Sequence, residues 1–210
     1  MTESGLRARK KQQTREAIIG TARRLFFERG FDDVTVADIA NEAEVAEGTV
    51  FNYFGTKEDL FFSGMEAYED RLIAAVRDRP ENQSVVDAFR DVVIDGYRQL
   101  ASRGDTRGPA LGAKLISESS ALRKRELEIV ADYTKALAEM LADELKTENL
   151  DITAHVVANA LMGVHRALVD LVRRLAIEGV SAPQIASRVA EEAEHGFTAL
   201  RDGLADYGRR

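Results

Sequence analysis

Apolar residues recur along most of this chain at the three- and four-residue spacing of an α-helix, and the alternation typical of strands is almost absent. The first apolar stripe predicts a helix over about residues 8–29, which ends at Gly30. Thr14 would cap this helix and leave residues 9–11 as an arm, or the helix begins earlier.

The same spacing predicts a series of further helices separated by turn-forming residues. Two of them are short, and the segment 152–178 is apolar nearly all round, which indicates a buried helix. In chain order, these helices are expected at about 35–42, 46–54, 57–79, 84–102, 111–118, 122–145, 152–178 and 182–206.

The order of these elements predicts an all-α protein with two parts. Residues 1–56 form a small module of a basic arm and three helices, and residues 57–210 form a larger helical body. Residues 147–151 are expected to break the body between two of its long helices.

The absence of cysteine among 210 residues excludes a disulfide framework, thiolate metal sites and cysteine nucleophiles. No uninterrupted apolar run reaches the roughly 18–20 residues that span a bilayer, and the N-terminus lacks the apolar core of a signal peptide. We therefore expect a cytoplasmic protein without membrane contact.

Charge is distributed unevenly along the chain, whose formal net charge is −7. Residues 1–29 hold eight cations and three anions, so the remaining residues are strongly acidic. A basic segment joined to an acidic body is typical of an arm that faces a polyanion, although a solvated tail has the same composition.

The two short predicted helices next to the basic segment match a helix-turn-helix. Thr35 and Asp38 have the spacing of an N-terminal cap, and small apolar residues on the first short helix allow the second to cross it closely. Val50 and Phe54 are expected to face inward from the second helix, which would enter a DNA major groove.

The stretch TREAIIGTARRLFFERGFDDVTVADIANEAEVAEGTVFNYFGTKEDL, residues 14–60, resembles the DNA-binding domain of the TetR family of transcriptional regulators. The positions that carry the resemblance are Ala22, Leu25, Phe26, Gly30, Thr35, Val36, Ile39, Ala40, Ala43, Val45, Gly48, Thr49, Phe54, Lys57 and Leu60. It implies a DNA-binding regulator, usually a repressor, that binds a palindromic operator as a dimer and is released by a small-molecule effector.

The resemblance also implies roles for particular residues. Base edges would be read by Thr49, Val50 and Phe51, with core packing the alternative for Phe51. Phosphates would be contacted by Tyr53, by Lys57 and at the helix start formed by Thr35 and Val36. The basic residues Arg9, Lys10 and Arg15, together with Arg7 and Lys11, would reach the DNA backbone or the adjacent minor groove.

Two residues depart from the family pattern in the turn between the short helices. Glu44 stands where the family usually has glycine, and a left-handed backbone there would cost about 1 kcal/mol. Ala46 replaces the usual Ser or Thr cap, at a cost of about 1 kcal/mol. The nearby Glu47 adds a negative charge close to the expected DNA surface.

In the body, the resemblance implies an effector pocket and a homodimer formed by the last two helices. The effector would be hydrophobic, with acyl compounds as one candidate class. Its binding would move the helix at 57–79, which connects the pocket with the DNA-binding module. The candidate pocket residues are Tyr97, Tyr133, His155, Asn159, Met162 and Arg166. A structural network of Arg166 with Asp170, and core packing of the tyrosines, are the alternatives.

Small residues on the same helix, Ala160, Gly163 and Ala167, are expected to pack near the dimer seam. No cofactor, metal or enzymatic activity is expected. A di-iron helical enzyme is the first alternative class, since Glu192 and His195 form one E-x-x-H unit, but such sites need two units. The second alternative is a helical interaction protein that has lost or altered DNA binding.

Overall fold

The computed structural model describes residues 3–64, 66–102, 107–144 and 152–204, and all regular structure within these ranges is α-helical. The expectation of an all-α protein is confirmed. The helices are α1 (Glu3–Arg29), α2 (Val36–Glu42), α3 (Glu47–Tyr53), α4 (Lys57–Phe62), α5 (Glu66–Arg77), α6 (Val85–Ser102), α7 (Arg107–Glu118), α8 (Ser120–Glu144), α9 (Ile152–Ile177) and α10 (Ala182–Leu204).

The chain divides into two compact units. The first consists of Met1–Glu66 and Lys114–Arg125, and the second of Ala67–Ala113 and Glu126–Arg210. The sequence pattern places the domain boundary after residue 56, whereas this division also assigns residues 57–66 and 114–125 to the first unit. Helices α7 and α8 therefore each contribute residues to both units.

The first unit is built on the apolar stripe of α1, where Ile18, Leu25 and Phe26 are at most 1% exposed. The ring of Phe26 packs against Phe31 and Phe61, with ring centres 5.1 and 6.0 Å away. Ring contacts of this kind stabilise a core beyond the area that they bury.

The segment 114–125 is tied to the first unit by two polar contacts. Ser119 donates to an Asp32 carboxylate oxygen at 2.8 Å, and Arg125 pairs with Asp59 at 2.8 Å. Leu122 lies between them and is fully buried.

Helix α1 begins earlier than residue 8. The Thr14 hydroxyl donates to the Lys10 carbonyl at 3.0 Å, a bond made within a continuing helix. Thr14 as the N-cap is therefore wrong, and residues 9–11 are part of α1 rather than a separate arm.

The prediction of a single helix at 57–79 is also wrong, because this segment forms two helices, α4 and α5. Helix α4 ends at Phe62, and Ser63 is its C-cap. The Ser63 amide donates to the Leu60 carbonyl at 3.4 Å, a bond of the 3₁₀ type that is tighter than an α-helical turn. Gly64 follows directly, and glycine is a poor helix former because of its backbone entropy.

The second unit is centred on α6, α9 and α10, and α10 packs against both of the other helices. Phe89 of α6 and Phe197 of α10 are fully buried, with ring centres 6.0 Å apart. Gly179, in a left-handed conformation with φ 77°, ends α9 as expected.

Helix α9 is a buried helix as expected, but it is buried on one face only, although its apolar residues lie nearly all round. Ile152, Val156 and Ile177 are 75%, 53% and 60% exposed. With a mean hydropathy of 1.2, α9 is a candidate membrane span by length and composition, a property that core helices of soluble proteins share. Its nine buried residues make it a core helix with an apolar outer face.

A buried ion pair joins the end of α8 to the loop between α5 and α6. Arg79, whose side chain is 1% exposed, forms two bonds of 2.6 and 2.8 Å to the Glu144 carboxylate. Arg79 also donates to the Val76 and Gln83 carbonyls at 2.7 and 3.2 Å. The guanidinium therefore holds α8 to the loop between α5 and α6.

Candidate functional site

The N-terminus of α2 is closed by a reciprocal pair of side-chain bonds. The Asp38 amide donates to the Thr35 hydroxyl at 3.1 Å, and the Thr35 amide and hydroxyl donate to the Asp38 carboxylate at 2.8 and 2.5 Å. The Thr35 hydroxyl, and then its amide, lower the pKa of Asp38. The expected cap is confirmed.

The same cap weakens the expected phosphate contact at Thr35 and Val36. The Thr35 hydroxyl proton points to Asp38, and the ionised carboxylate already interacts favourably with the positive end of α2. Thr35 is exposed and Val36 half-buried, so a phosphate there would meet the Asp38 charge.

The turn between α2 and α3 has the left-handed residue that the sequence indicates. Glu44 has φ 54°, and the amides of Glu44 and Val45 donate to the carbonyls of Asn41 and Ala40 at 3.2 and 2.9 Å. This is a Schellman motif, in which glycine is usual because it has no Cβ. The departure at Glu44 therefore leaves the turn geometry in place.

Helix α3 presents a different set of side chains from the one expected. Val50 is 2% exposed and packs into the core, so the expectation that it faces inward is confirmed and its assignment as a base contact is wrong. Phe51 is 47% exposed and Thr49 is half-buried. The helix starts at Ala46 with no side-chain cap, as expected.

The residues that follow α3 divide between the surface and the core. Phe54 is 5% exposed, as expected, and the guanidinium of Arg15 lies 5.2 Å from its ring centre. Tyr53 is half-buried, and its hydroxyl makes no hydrogen bond to any residue that the structure describes. The Tyr53 hydroxyl is therefore available to an outside acceptor.

Lys57 makes structural contacts that the sequence did not indicate. Its Nζ donates to the carbonyls of Phe31 and Val34, both at 2.8 Å, and lies 4.2 Å from the Phe31 ring centre. An ammonium group has three donors, so one remains for a phosphate. Lys57 fixes the loop before α2 as well as offering a charge.

Lys57→Met is expected to lower the free energy of unfolding by about 1.5–3 kcal/mol, because two carbonyls lose a charged donor. Tyr53→Phe is expected to change stability by less than about 0.5 kcal/mol, because its hydroxyl has no partner to lose. Urea denaturation followed by circular dichroism measures both. Equal stability of the two variants would contradict this role of Lys57.

Within residues 1–66, positive charge is concentrated on α1. Residues 30–60 contain Lys57 and eight acidic residues. On α1, Arg24 pairs with Glu42 and Glu28, whereas Arg9 and Lys10 are exposed. The start of α1 therefore presents exposed cations outside the acidic segment 30–60.

The residues expected to form an effector pocket do not converge. Asn159 and Arg166 are exposed, and Asn159 donates to the His155 carbonyl at 2.7 Å on its own helix. Met162 is 3% exposed in the core, while His155 and Tyr133 are half-buried. The polar stripe of α9 therefore lies on its outer side and does not line a buried pocket.

Tyr97 is the exception, because its hydroxyl is fully buried. Tyr68 lies close to Tyr97 and packs against His165 in the same unit, and the sequence pattern predicts neither Tyr68 nor His165 as a site residue. His165 lies on the buried face of α9, together with Leu161 and Leu168. A histidine at the helical spacing of an apolar face is the sequence signal that could have identified His165 as a candidate site residue.

Glu192 and His195 lie on α10, 3.8 Å apart, with the His195 side chain 72% exposed. Within the described ranges, no three His, Cys, Asp or Glu side chains are grouped so that they could hold a metal ion.

Comparison with known proteins gives a match over the first unit. Residues 18–63 match the model of bacterial regulatory proteins of the tetR family. The HTH-type transcriptional regulator TcmR of Streptomyces glaucescens is 33% identical over 142 residues, which are 60% of this chain and 63% of TcmR. The HTH-type transcriptional regulator HbdR of Aromatoleum sp. (strain CIB) is 32% identical over 112 residues, 46% of this chain and 49% of HbdR. The matched part thus spans about half to two thirds of these relatives.

Among solved structures, the fatty acid degradation regulator FadR from Bacillus halodurans superimposes with a TM-score of 0.58. The match covers 90% of this chain and 96% of FadR at 22% identity, a level at which it supports the fold alone.

Proposed function

Since the chain belongs to the TetR family of bacterial regulatory proteins, we propose that it is a transcriptional repressor that binds a palindromic operator as a homodimer. A small-molecule effector bound in the second unit releases it from DNA. Such a regulator acts in the cytoplasm, where its operator is.

The observation that carries this proposal is the exposed start of α3 after a Schellman turn. Thr49 and Phe51 lie at or near the surface of a short helix, which fits the width of a major groove. Tyr53 offers an unpaired hydroxyl, and Arg9 and Lys10 offer exposed charges, for the phosphates on either side.

The outer face of α9 supports a dimer. It combines the exposed apolar Ile152 and Val156 with the small Gly163 and Ala167, on a helix whose other face is buried. A Cβ added at Gly163 would meet no atom within 4 Å in the single chain, which leaves room for a second helix. Contiguous exposed apolar surface is typical of a protein interface.

The switch between the free and DNA-bound states would run through helices that belong to both units. Residues 114–125 of α7 and α8 are part of the first unit, where Arg125 and Ser119 contact Asp59 and Asp32. An effector that prefers one state by about 1–3 kcal/mol is sufficient for such coupling.

Selection from random duplex DNA is expected to enrich a palindrome whose half-sites are about one helical turn apart, because a two-fold dimer places two α3 helices on one face of DNA. Gly163→Arg is expected to be monomeric by light scattering and to enrich no palindrome, because the arginine occupies the proposed seam. The measurement is sequencing of the bound pool.

Gly112→Arg is the matched control, because it also replaces a helical glycine whose added Cβ meets no atom within 4 Å. It is expected to remain dimeric and to select the same palindrome as the parent. Failure of the parent to enrich any palindrome would refute the repressor proposal. A dimeric Gly163→Arg protein would refute the α9 interface.

A further inference from the structure

A cavity of about 420 Å³ lies between α5 and α6 in the second unit. Its lining includes the apolar or small residues Ala75, Ala88, Val92 and Gly96. The acidic residues on its lining, Asp78, Asp91 and Asp95, each form an ion pair with a neighbouring arginine. Arg71 also lines the cavity, with its guanidinium 5.4 Å from the Tyr68 ring centre. The cavity therefore combines an apolar surface with paired carboxylates and one guanidinium that lies over the Tyr68 ring.

Tyr68 connects this cavity with the interior of the unit. Its ring lines the cavity and also lies against His165 of α9, with ring centres 5.6 Å apart. The ring fits there because residue 96 is glycine, since a Cβ at Gly96 would be 2.7 Å from Tyr68 Cε2. Any side chain at position 96 would push the Tyr68 ring aside.

Two buried polar atoms next to Tyr68 have no hydrogen-bond partner among the described residues. They are the Tyr97 hydroxyl and His165 Nδ1. A buried polar group without a partner is costly, and in native proteins such a group calls for a specific explanation. A ligand that enters past Tyr68 would supply the missing partner.

The surroundings of these atoms disfavour charge of either sign. Burial lowers the pKa of His165 to about 4 and raises the pKa of Tyr68 to about 12, so neutral forms prevail at pH 7. The charged groups that act on Tyr68, Arg71 and Glu69, have opposite signs, and so do Arg173 and Asp170, which act on Tyr97. Burial is the largest influence on Tyr68, Tyr97 and His165, and it disfavours an ionic group of a ligand beside them.

We infer that Tyr68 is a movable gate and that the effector is an uncharged, mainly apolar molecule with one hydroxyl or carbonyl group. The effector occupies the cavity between α5 and α6, displaces the Tyr68 ring from Gly96, and pairs with the buried polar atoms of Tyr97 and His165. The neutral imidazole has one donor and one acceptor nitrogen, and a tyrosine hydroxyl can donate or accept, so either ligand group fits.

This inference rests on the proposed function, because it assigns the class of the effector. Its test therefore measures binding to the protein without DNA, so that it succeeds or fails independently of operator binding. The probes are 4-alkylphenols from methyl to hexyl, with the matching alkylbenzenes and 4-alkylbenzoates at pH 7. The three sets share their apolar parts and differ in the hydroxyl and the charge.

In titration calorimetry, the alkylphenols are expected to bind, and the alkylbenzenes to bind about three- to tenfold more weakly, because they lack the hydroxyl that pairs with Tyr97 and His165. The ionised benzoates are not expected to bind. Tyr97→Phe is expected to reduce the preference for the phenol to about two- to threefold, because His165 Nδ1 is the buried partner that remains. The same variant is expected to be as stable as the parent without ligand, or more so, because it removes a buried hydroxyl without a partner.

Gly96→Ala tests the gate. It is expected to increase the affinity for phenols and alkylbenzenes alike, because the displaced Tyr68 ring no longer has to be moved by the ligand. Gly203→Ala, where an added Cβ meets no atom within 4 Å, is the matched control. Absence of phenol binding, equal binding of benzoates, or an unchanged preference in Tyr97→Phe would overturn the assignment.

Discussion

Glu144→Ala is expected to lower the free energy of unfolding by about 3–5 kcal/mol, because it removes the Glu144 carboxylate that pairs with the buried Arg79 charge. The Arg79 side chain is 1% exposed and that of Glu144 12%, so water cannot replace the two lost bonds. A loss of this size is a large part of the total stability of a domain, which is typically about 5–15 kcal/mol. Urea denaturation monitored by circular dichroism measures it.

Glu139→Ala is the matched control on the same helix. Glu139 pairs with Lys135 at 3.7 Å, with both side chains more than half exposed, so its loss is expected to cost less than about 0.5 kcal/mol. The double variant Arg79→Met, Glu144→Leu is expected to recover most of the stability, because it removes both charges. Equal midpoints for Glu144→Ala and Glu139→Ala would contradict the buried-pair argument.

Replacing Arg9, Lys10 and Lys11 together with glutamine is expected to reduce operator affinity by about 10²-fold at 0.1 M salt, because three phosphate contacts are lost. Each lost contact reduces the slope of log affinity against log salt concentration by about 0.9. The three side chains are exposed on α1, in a unit whose residues 30–60 contain one cation and eight anions. The dependence of log affinity on log salt concentration is expected to flatten by about 2–3. Fluorescence anisotropy titrations at four salt concentrations measure the slope.

A charge-matched control separates this local effect from a change in net charge. Arg98, Lys135 and Arg188 are exposed cations of the second unit, and their joint replacement by glutamine removes the same three charges. We expect the control to keep most of the slope. A control slope as flat as that of the α1 variant would mean that net charge, and not the start of α1, sets the affinity.

Much of the first unit could be predicted because its signals are local. The cap at Thr35 and Asp38, the left-handed residue at Glu44 and the uncapped start at Ala46 all depend on neighbours within a few residues. Gly30 and Gly179 end their helices in left-handed conformations for the same reason. Such signals are readable because the interacting groups are adjacent in the sequence.

The candidate site was harder to predict, because exposure depends on what packs against each face. From its place in the sequence, Phe51 could face either the DNA groove or the core, and it is 47% exposed. Lys57 bonds to carbonyls 23 and 26 residues away, a contact that no local pattern contains. The polar stripe of α9 has helical spacing, but spacing alone does not say which side faces the core.

Most of the helices, the turn between α2 and α3, and the cationic start of α1 were predictable from the sequence alone, because they follow from periodicity, capping and charge counts. Three features emerge only when the chain is folded: Lys57 bonds to the carbonyls of Phe31 and Val34, Arg79 and Glu144 meet across 65 residues, and two polar atoms near Tyr68 are buried without a partner among the described residues. Burial and pairing depend on groups far apart in the chain, and these distances are set when helices pack.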